Sequence, residues 1–379
     1  MNKPAIVVVA YNRKRSLERL LSSLKRASYP KDEDITLIIS IDKGDNEDVV
    51  ECARKTDWDH GELKVICHEK NLGLKAHVLE CGDHALEYGS VIILEDDLLV
   101  AEDFYNYSLA ALNMAKDDDK IGGISLYDHL LNVHTREPFY AIDDGYDNYY
   151  MQFASSWGQA YSSKMWQDFR SWLSTFKEGD IAGFDIPDNV SGWSERSWLK
   201  YNIKYLVEKD MYFLYPRVSL TTNFMEEGEH SDGGSLELQV PMLFGRKDYS
   251  FSSLEESLAV YDAFFENKKL RLRDIEEKFI TDLYGNKRVA ETGEKSKIRY
   301  ALSSRELPYK VIRSYGRILR PVDANIVADI KGEDLFLYDL KQKDKAPRVK
   351  KAKRQLYNYR AIKLKEMLEI IKFRLKKGR

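Results

Sequence analysis

Val91-Ile92-Ile93-Leu94-Glu95-Asp96-Asp97-Leu98-Leu99-Val100 sets three consecutive acids in the middle of an apolar run. Val91 to Leu94 has the continuous aliphatic pattern of a strand covered on both faces. Carboxylates that interrupt such a run would be expensive to bury unpaired, and a bound cation would remove most of that cost. An isolated acidic triplet is more often a solvated turn, so the flanking sequence has to decide between the two readings.

Upstream, Ala5-Ile6-Val7-Val8-Val9-Ala10 is another continuous strand pattern, and Leu17, Leu20, Leu21 and Leu24 then repeat at helical spacing until Tyr29-Pro30. Ile35 to Ile41 and Leu63 to Cys67 read as further strands, and Leu74 to Leu86 as a helix leading into the strand at Val91. Strand and helix alternate as in a mixed α/β fold with a largely parallel sheet, where ligands bind at the carboxyl ends of the strands. Those ends carry Tyr11-Asn12-Arg13, Asp42, Asn71-Leu72-Gly73 and the acids at 95 to 97. A guanidinium at Arg13 suits phosphate oxygens bidentately; its other reading is a surface arginine beside Lys14 and Arg15.

The 379 residues, 43% hydrophobic and 12% aromatic, can bury a large core. Cys52, Cys67 and Cys81 are odd in number and without paired short spacings, which favours a reducing compartment over a disulfide framework. The first apolar run is too short for a signal peptide, and no stretch approaches the ~20 residues of a membrane span. The expectation is a cytoplasmic protein that can sit peripherally on the inner face of the membrane. A net charge of −3 conceals an asymmetry: residues 341–379 hold 16 Lys/Arg against three acids, leaving −16 on the rest.

Taken in order, Ile6-Val7-Val8-Val9-Ala10-Tyr11-Asn12-Arg13, Ile39-Ser40-Ile41-Asp42, Asn71-Leu72-Gly73-Leu74-Lys75, Ile92-Ile93-Leu94-Glu95-Asp96-Asp97-Leu98 and Ala101-Glu102-Asp103-Phe104 resemble the GT-A fold nucleotide-sugar glycosyltransferases. The likeness covers about residues 4 to 235 and is to the N-acetylglucosaminyltransferase I type and to family 2-like bacterial transferases of surface polysaccharides. It implies an inverting transferase that takes a sugar, hexosyl or N-acetylhexosaminyl, from a UDP-sugar with the help of Mn²⁺ or Mg²⁺. It would place Asp42 on the uracil, Arg13 at the nucleotide, Glu95 and Asp96 on sugar and ribose, and Asp97 on the metal. Asn71 and Gly73 would shape the loop beside the base, with Ala10, Tyr11 and Lys75 as further donor contacts. Ser155-Ser156-Trp157-Gly158 resembles the segment that lines the donor sugar, Gly158 allowing close backbone approach.

Five of the six tryptophans fall between 157 and 198. Trp166 and Trp172 read as core, since large aromatics are mostly buried; Trp157 reads as a sugar platform. An inverting reaction needs a base for the acceptor hydroxyl. Glu195 is the first choice, with Trp193 and Trp198 expected to desolvate it and raise its pKa, and Asp188 the second. A surface Glu195 paired with a basic residue is the competing reading. Asn223 to Gly234 reads as a mobile loop in which His230 either completes the metal sphere or is simply exposed. His77, Cys81 and His84 share a helix face, and the absence of a fourth ligand at suitable spacing makes a buried face the simpler account than zinc.

Three units are expected: a catalytic domain over 1–250, an appendage over 251–340 with helices at Leu254 to Phe265 and Leu270 to Leu283 and a loop from Tyr284 to Lys297, and a basic amphipathic helical tail over 341–379. The tail suits either an anionic membrane that presents lipid-linked or glycan acceptors, or packing on its own domain. Nucleic acid is not expected as a partner. A nucleotidyltransferase would share the metal carboxylates but would carry a glycine-rich loop where this chain has Tyr11-Asn12-Arg13. A silent nucleotide-sugar-binding protein would have no need of these acids together with Arg13 and Asp42.

Overall fold

The computed structural model describes residues 3–31, 33–177, 181, 183, 185–224, 238–348 and 362–377. Four parallel strands carry the first half: β1 (Ala5–Ala10), β2 (Leu37–Ile41), β3 (Leu63–Cys67) and β4 (Ser90–Glu95), with β1 between β2 and β4. The residues of β1, β2 and β4 are buried up to Glu95, because helices cover both faces of the sheet. Those helices are α1 (Lys14–Arg26), which buries Leu17, Leu20, Leu21 and Leu24, α2 (Glu47–Arg54) and α3 (Leu74–Tyr88).

Beyond β4 the chain makes β5 (Leu98–Val100), α4 (Phe104–Met114), β6 (Ile121–Ser125), β7 (Asn148–Met151), β8 (Gln159–Ser162), α5 (Ser163–Thr175), α6 (Asp188–Ser191), α7 (Trp198–Glu208), β9 (Tyr212–Pro216), β10 (Thr221–Asn223) and β11 (Val260–Tyr261). The sheet grows to nine strands in the order β11-β7-β9-β6-β8-β4-β1-β2-β3. β8 is antiparallel to both β4 and β6, so β6 runs parallel to β4 and its carboxyl end opens on the same edge as the acids. Off that edge, β5 and β10 form a short antiparallel ribbon.

A second sheet follows, β12 (Phe279–Asp282), β13 (Tyr300–Ser303), β14 (Tyr309–Tyr315) and β15 (Leu335–Lys343), with α8 (Val289–Ser296) and α9 (Ala324–Val327). It has its own small core of Ile280, Val289, Ala301, Leu307, Tyr309, Phe336 and Tyr338. The last element is α10 (Leu364–Lys377). Three expectations for this half are corrected. Leu254 to Phe265 and Leu270 to Leu283 are not helices, Val260–Tyr261 instead extends the main sheet past residue 250, and a helix lies at 289–296 where a loop was expected. Trp166 and Trp172 are buried as expected, Trp166 donating its indole N–H to Asp83 at 2.8 Å.

Candidate active site

Glu95 ends β4, and the Asp96 N–H donates to the carbonyl of Val9 on the neighbouring strand at 3.1 Å. The triplet is thereby pinned across the end of β1, next to Arg13 at the start of α1. The Arg13 guanidinium spans two of the three acids: one nitrogen donates to Asp97 Oδ2 at 2.9 Å and another to Asp96 Oδ1. Asp97 Oδ1 is buried and has no hydrogen-bond partner. Burial raises the Asp96 pKa to about 6, partly offset by Arg13. Burial, followed by the negative charges of Asp97 and Asp96, raises that of Glu95 to about 8, against the opposing effects of Arg13 and a hydrogen bond with Ser156. One guanidinium thus faces three carboxyl groups, and one buried carboxylate oxygen is left over. That oxygen and its neighbours fit a hard divalent cation, whose ligands are carboxylate oxygens supplemented by phosphate or water. Among the described residues no three His, Cys, Asp or Glu side chains converge as a complete protein-only metal set. His230 lies outside the described residues.

At the end of β2, Asp42 is buried and fully engaged. Its Oδ1 accepts from the N–H groups of Lys43 and Leu72, both at 2.8 Å, and its Oδ2 from that of Gly73 at 2.9 Å. Asn71 donates its side-chain amide to the Lys43 carbonyl at 2.8 Å, and Asn46 donates to the carbonyls of Asp42, at 2.9 Å, and Tyr11. Gly73 sits at φ 75°, a left-handed conformation natural to glycine, immediately before α3. Ala10, Tyr11, Asp42 and Asn71 to Gly73 therefore form one cradle in which Asp42 shapes the loop through backbone amides. Lys75, in the first turn of α3, holds its Nζ 3.9 Å from the centre of the Tyr201 ring. Beneath the cradle, Ser40 Oγ meets His77 Nε2 at 2.8 Å and His68 Nε2 at 3.1 Å. Cys81 is buried and shares Ser40 with His77, whereas His84 faces Glu87, so the three side chains do not converge on one point.

The Ser155 to Gly158 segment reaches the acids because β8 runs antiparallel to β4, Gln159 facing Ile93. Gly158 has φ 90°, and a Cβ there would lie 2.8 Å from Thr221 Cγ2, so close approach is enforced on both counts. Thr221 donates its hydroxyl to the Trp157 carbonyl at 2.5 Å. The half-buried Trp157 ring stacks obliquely on Tyr127, centroids 4.6 Å apart, with His129 at 5.8 Å. Asp128 and His129 follow β6 at the carboxyl edge and were not singled out by sequence reading. Their sequence signal is their position three and four residues beyond the strand Ile121 to Ser125. His129 is buried among Tyr127, Phe153, Trp157, Tyr215 and Phe265; neither ring nitrogen has a partner, and burial takes its pKa down to about 3.

The surroundings expected of Glu195 are corrected. Glu195 is exposed, not desolvated by Trp193 and Trp198, and hydrogen bonds from Lys200, at 2.6 Å, and from Tyr201 lower its pKa. It nevertheless adjoins the cradle, through the Tyr201 ring that Lys75 covers. Asp188 is exposed and paired with Arg288, the residue before α8.

Residues 5–169 match the family described as Glycosyl transferase family 2. Among solved structures, the chain is similar to a mannosyltransferase from Pyrobaculum calidifontis in complex with GDP-Man and Mn²⁺, at 16% identity over 46% of this chain and 48% of that one, with a TM-score of 0.33. It is also similar to S. aureus TarS 1-349 in complex with UDP-GlcNAc, at 14% identity over 60% of each chain, with a TM-score of 0.40. The chain spans less than two thirds of the length of either structure. No curated protein matches it.

Proposed function

We propose that this chain, a GT-A glycosyltransferase with a family 2-like domain over residues 5–169, is an inverting, metal-dependent enzyme. The donor is a UDP-sugar, hexosyl or N-acetylhexosaminyl, and the acceptor a hydroxyl of a glycan or lipid-linked saccharide in surface polysaccharide assembly. The observation that carries this reading is the buried, unpartnered Asp97 Oδ1 beside Asp96 and Glu95. Asp97 would hold Mn²⁺ or Mg²⁺, which when bound offsets the negative charge developing on the departing diphosphate.

The chain's own residues would do the rest. Arg13 keeps Asp97 oriented through Oδ2 and lies within reach of phosphate oxygens. Asp42 fixes the Asn71 to Gly73 loop, against which the base packs, and Tyr11 closes its other side. Glu95 and Asp96 accept hydrogen bonds from sugar and ribose hydroxyls, and Trp157 and Gly158 bound the sugar. Glu195, ionised and adjoining the cradle, takes the acceptor's proton; Asp188 is the second choice. The distinguishing experiment is a thermal-shift panel of sugar nucleotides with and without Mn²⁺. The wild type should respond to a UDP-sugar only with metal, and Asp97→Ala should lose that response while still showing a cooperative melting transition of its own. A metal-independent response, or full transfer by Asp97→Ala, refutes the metal assignment; substantial transfer by Glu195→Gln refutes the base.

A further inference from the structure

Along α10, Leu364, Leu368, Ile371 and Leu375 repeat at intervals of four, three and four and share one side of the helix. They are exposed at 75%, 51%, 49% and 69%, so the stripe is not packed on the chain's own acidic domain. The helix is also too short and too charged to cross a bilayer, and among the described residues no helix of the chain is long and apolar enough to do so.

Two occupants could cover such a stripe in water: a second copy, or a lipid surface. The spacing is that of a coiled-coil seam, but two heptads fall short of the three to four a stable pair needs. Lys365 and Lys372, each directly following a stripe residue, would meet basic residues of the other helix and repel it. The same lysines favour an anionic bilayer, where aliphatic side chains enter the acyl boundary and basic ones remain among the headgroups. Sixteen Lys/Arg against three acids over 341–379 give this segment the opposite sign from the remaining chain, which an anionic surface would repel. The bilayer would therefore select the tail and hold the rest of the chain off it.

We infer that α10 docks the protein on anionic membrane, its stripe of Leu364, Leu368, Ile371 and Leu375 lying in the plane of the interface. The docking depends on the tail alone, so it stands or falls separately from the donor chemistry. The full chain should co-sediment with vesicles containing roughly one quarter phosphatidylglycerol, not with phosphatidylcholine alone, and should be released as salt screens the attraction. Leu368→Glu with Ile371→Glu, at exposed positions, should weaken partitioning roughly a hundredfold by removing two buried aliphatic chains. The melting temperature should be unchanged. Retained vesicle binding in that variant, or wild-type binding to RNA as strong as to vesicles, would make the tail a mere polyanion binder and overturn the inference. So would a chain that binds no vesicle, or one whose self-association, measured by sedimentation velocity, is abolished by the same two substitutions.

Discussion

Glu95→Gln should stabilise the protein at neutral pH in the absence of divalent cations, against the usual expectation for an active-site acid. Burial and the adjoining Asp97 and Asp96 raise the Glu95 pKa from an ordinary 4.5 to about 8. Raised pKa values make an acid stabilising only while it is protonated: the full contribution exists below pH 4.5 and is lost as pH rises toward 8. Between pH 4.5 and pH 7 the unfolded chain sheds this proton and the folded one keeps it, at about 1.4 kcal/mol per pH unit, or on the order of 3 kcal/mol. Gln has the shape of the protonated acid and can keep a hydrogen bond with Ser156, but never ionises. At about 2 °C per kcal/mol for a chain of this size, the variant should melt about 6 °C above wild type at pH 7. At pH 4.5 the two should melt together. Thermal and urea denaturation in EDTA at both pH values decide it. A gain that is the same at both, or a loss at pH 7, would mean that the carboxylate is ionised and satisfied in the fold, and the electrostatic picture of the triplet would be wrong.

Gly158→Ala should cost about 2–4 kcal/mol, from a side chain at positive φ and overlap with Thr221, read by urea denaturation. Adding Thr221→Ser removes the clashing methyl but keeps the hydroxyl bonded to Trp157, so it should recover the steric part alone; full recovery would show that φ carries no strain. Asp42→Asn should loosen the Leu72 and Gly73 amides and raise the donor KM roughly tenfold with a smaller change in kcat, since about one charged hydrogen bond is lost. A change confined to kcat would argue against a loop-shaping role. His129→Phe should be neutral or stabilising at pH 7, because an aromatic of similar shape replaces a ring with two unbonded nitrogens. A histidine held down to about 3 contributes stability that is present above pH 6.5 and lost on acidification, so the variant should also resist denaturation near pH 4–5 better than wild type. Destabilisation at pH 7 would instead reveal a partner for the imidazole.

The parts of the fold legible in sequence are those where local and global demands agree. β1, β2 and β4 are doubly covered, so nearly every residue must be apolar and the runs announce themselves. Residues 254 to 265 do not form the helix that their apolar spacing suggests, because a short-range polar contact competes with it. Asp262 Oδ1 accepts from the N–H groups of Phe264 and Glu266, and Phe265 turns to φ 68°, a local hydrogen-bonded alternative that breaks a helix before it forms. The helix at 289–296 was hidden for the converse reason. Thr292, Gly293 and Ser296 are weaker helix formers than alanine, and the segment is held by packing, Gly293 lying against the Leu340 side chain, whose Cδ1 would be 2.5 Å from a Cβ there.

The site divides along the same line. Arg13, Asp42, Asn71 to Gly73 and Glu95 to Asp97 lie at the ends of legible strands, and strand direction brings them together. The surroundings of Glu195 are not legible, because flanking tryptophans suggest burial whereas Lys200 and Tyr201, in the first turn of α7, decide its environment. Asp128 and His129 were invisible because the rings that bury His129 come from Phe153, Trp157, Tyr215 and Phe265, as much as 136 positions away. The triplet itself shows what sequence can and cannot price. That the acids interrupt an apolar run says burial must be offset; only the fold shows how the offset is shared. Arg13 serves Asp96 and Asp97, Ser156 serves Glu95, and one buried oxygen of Asp97 has no partner.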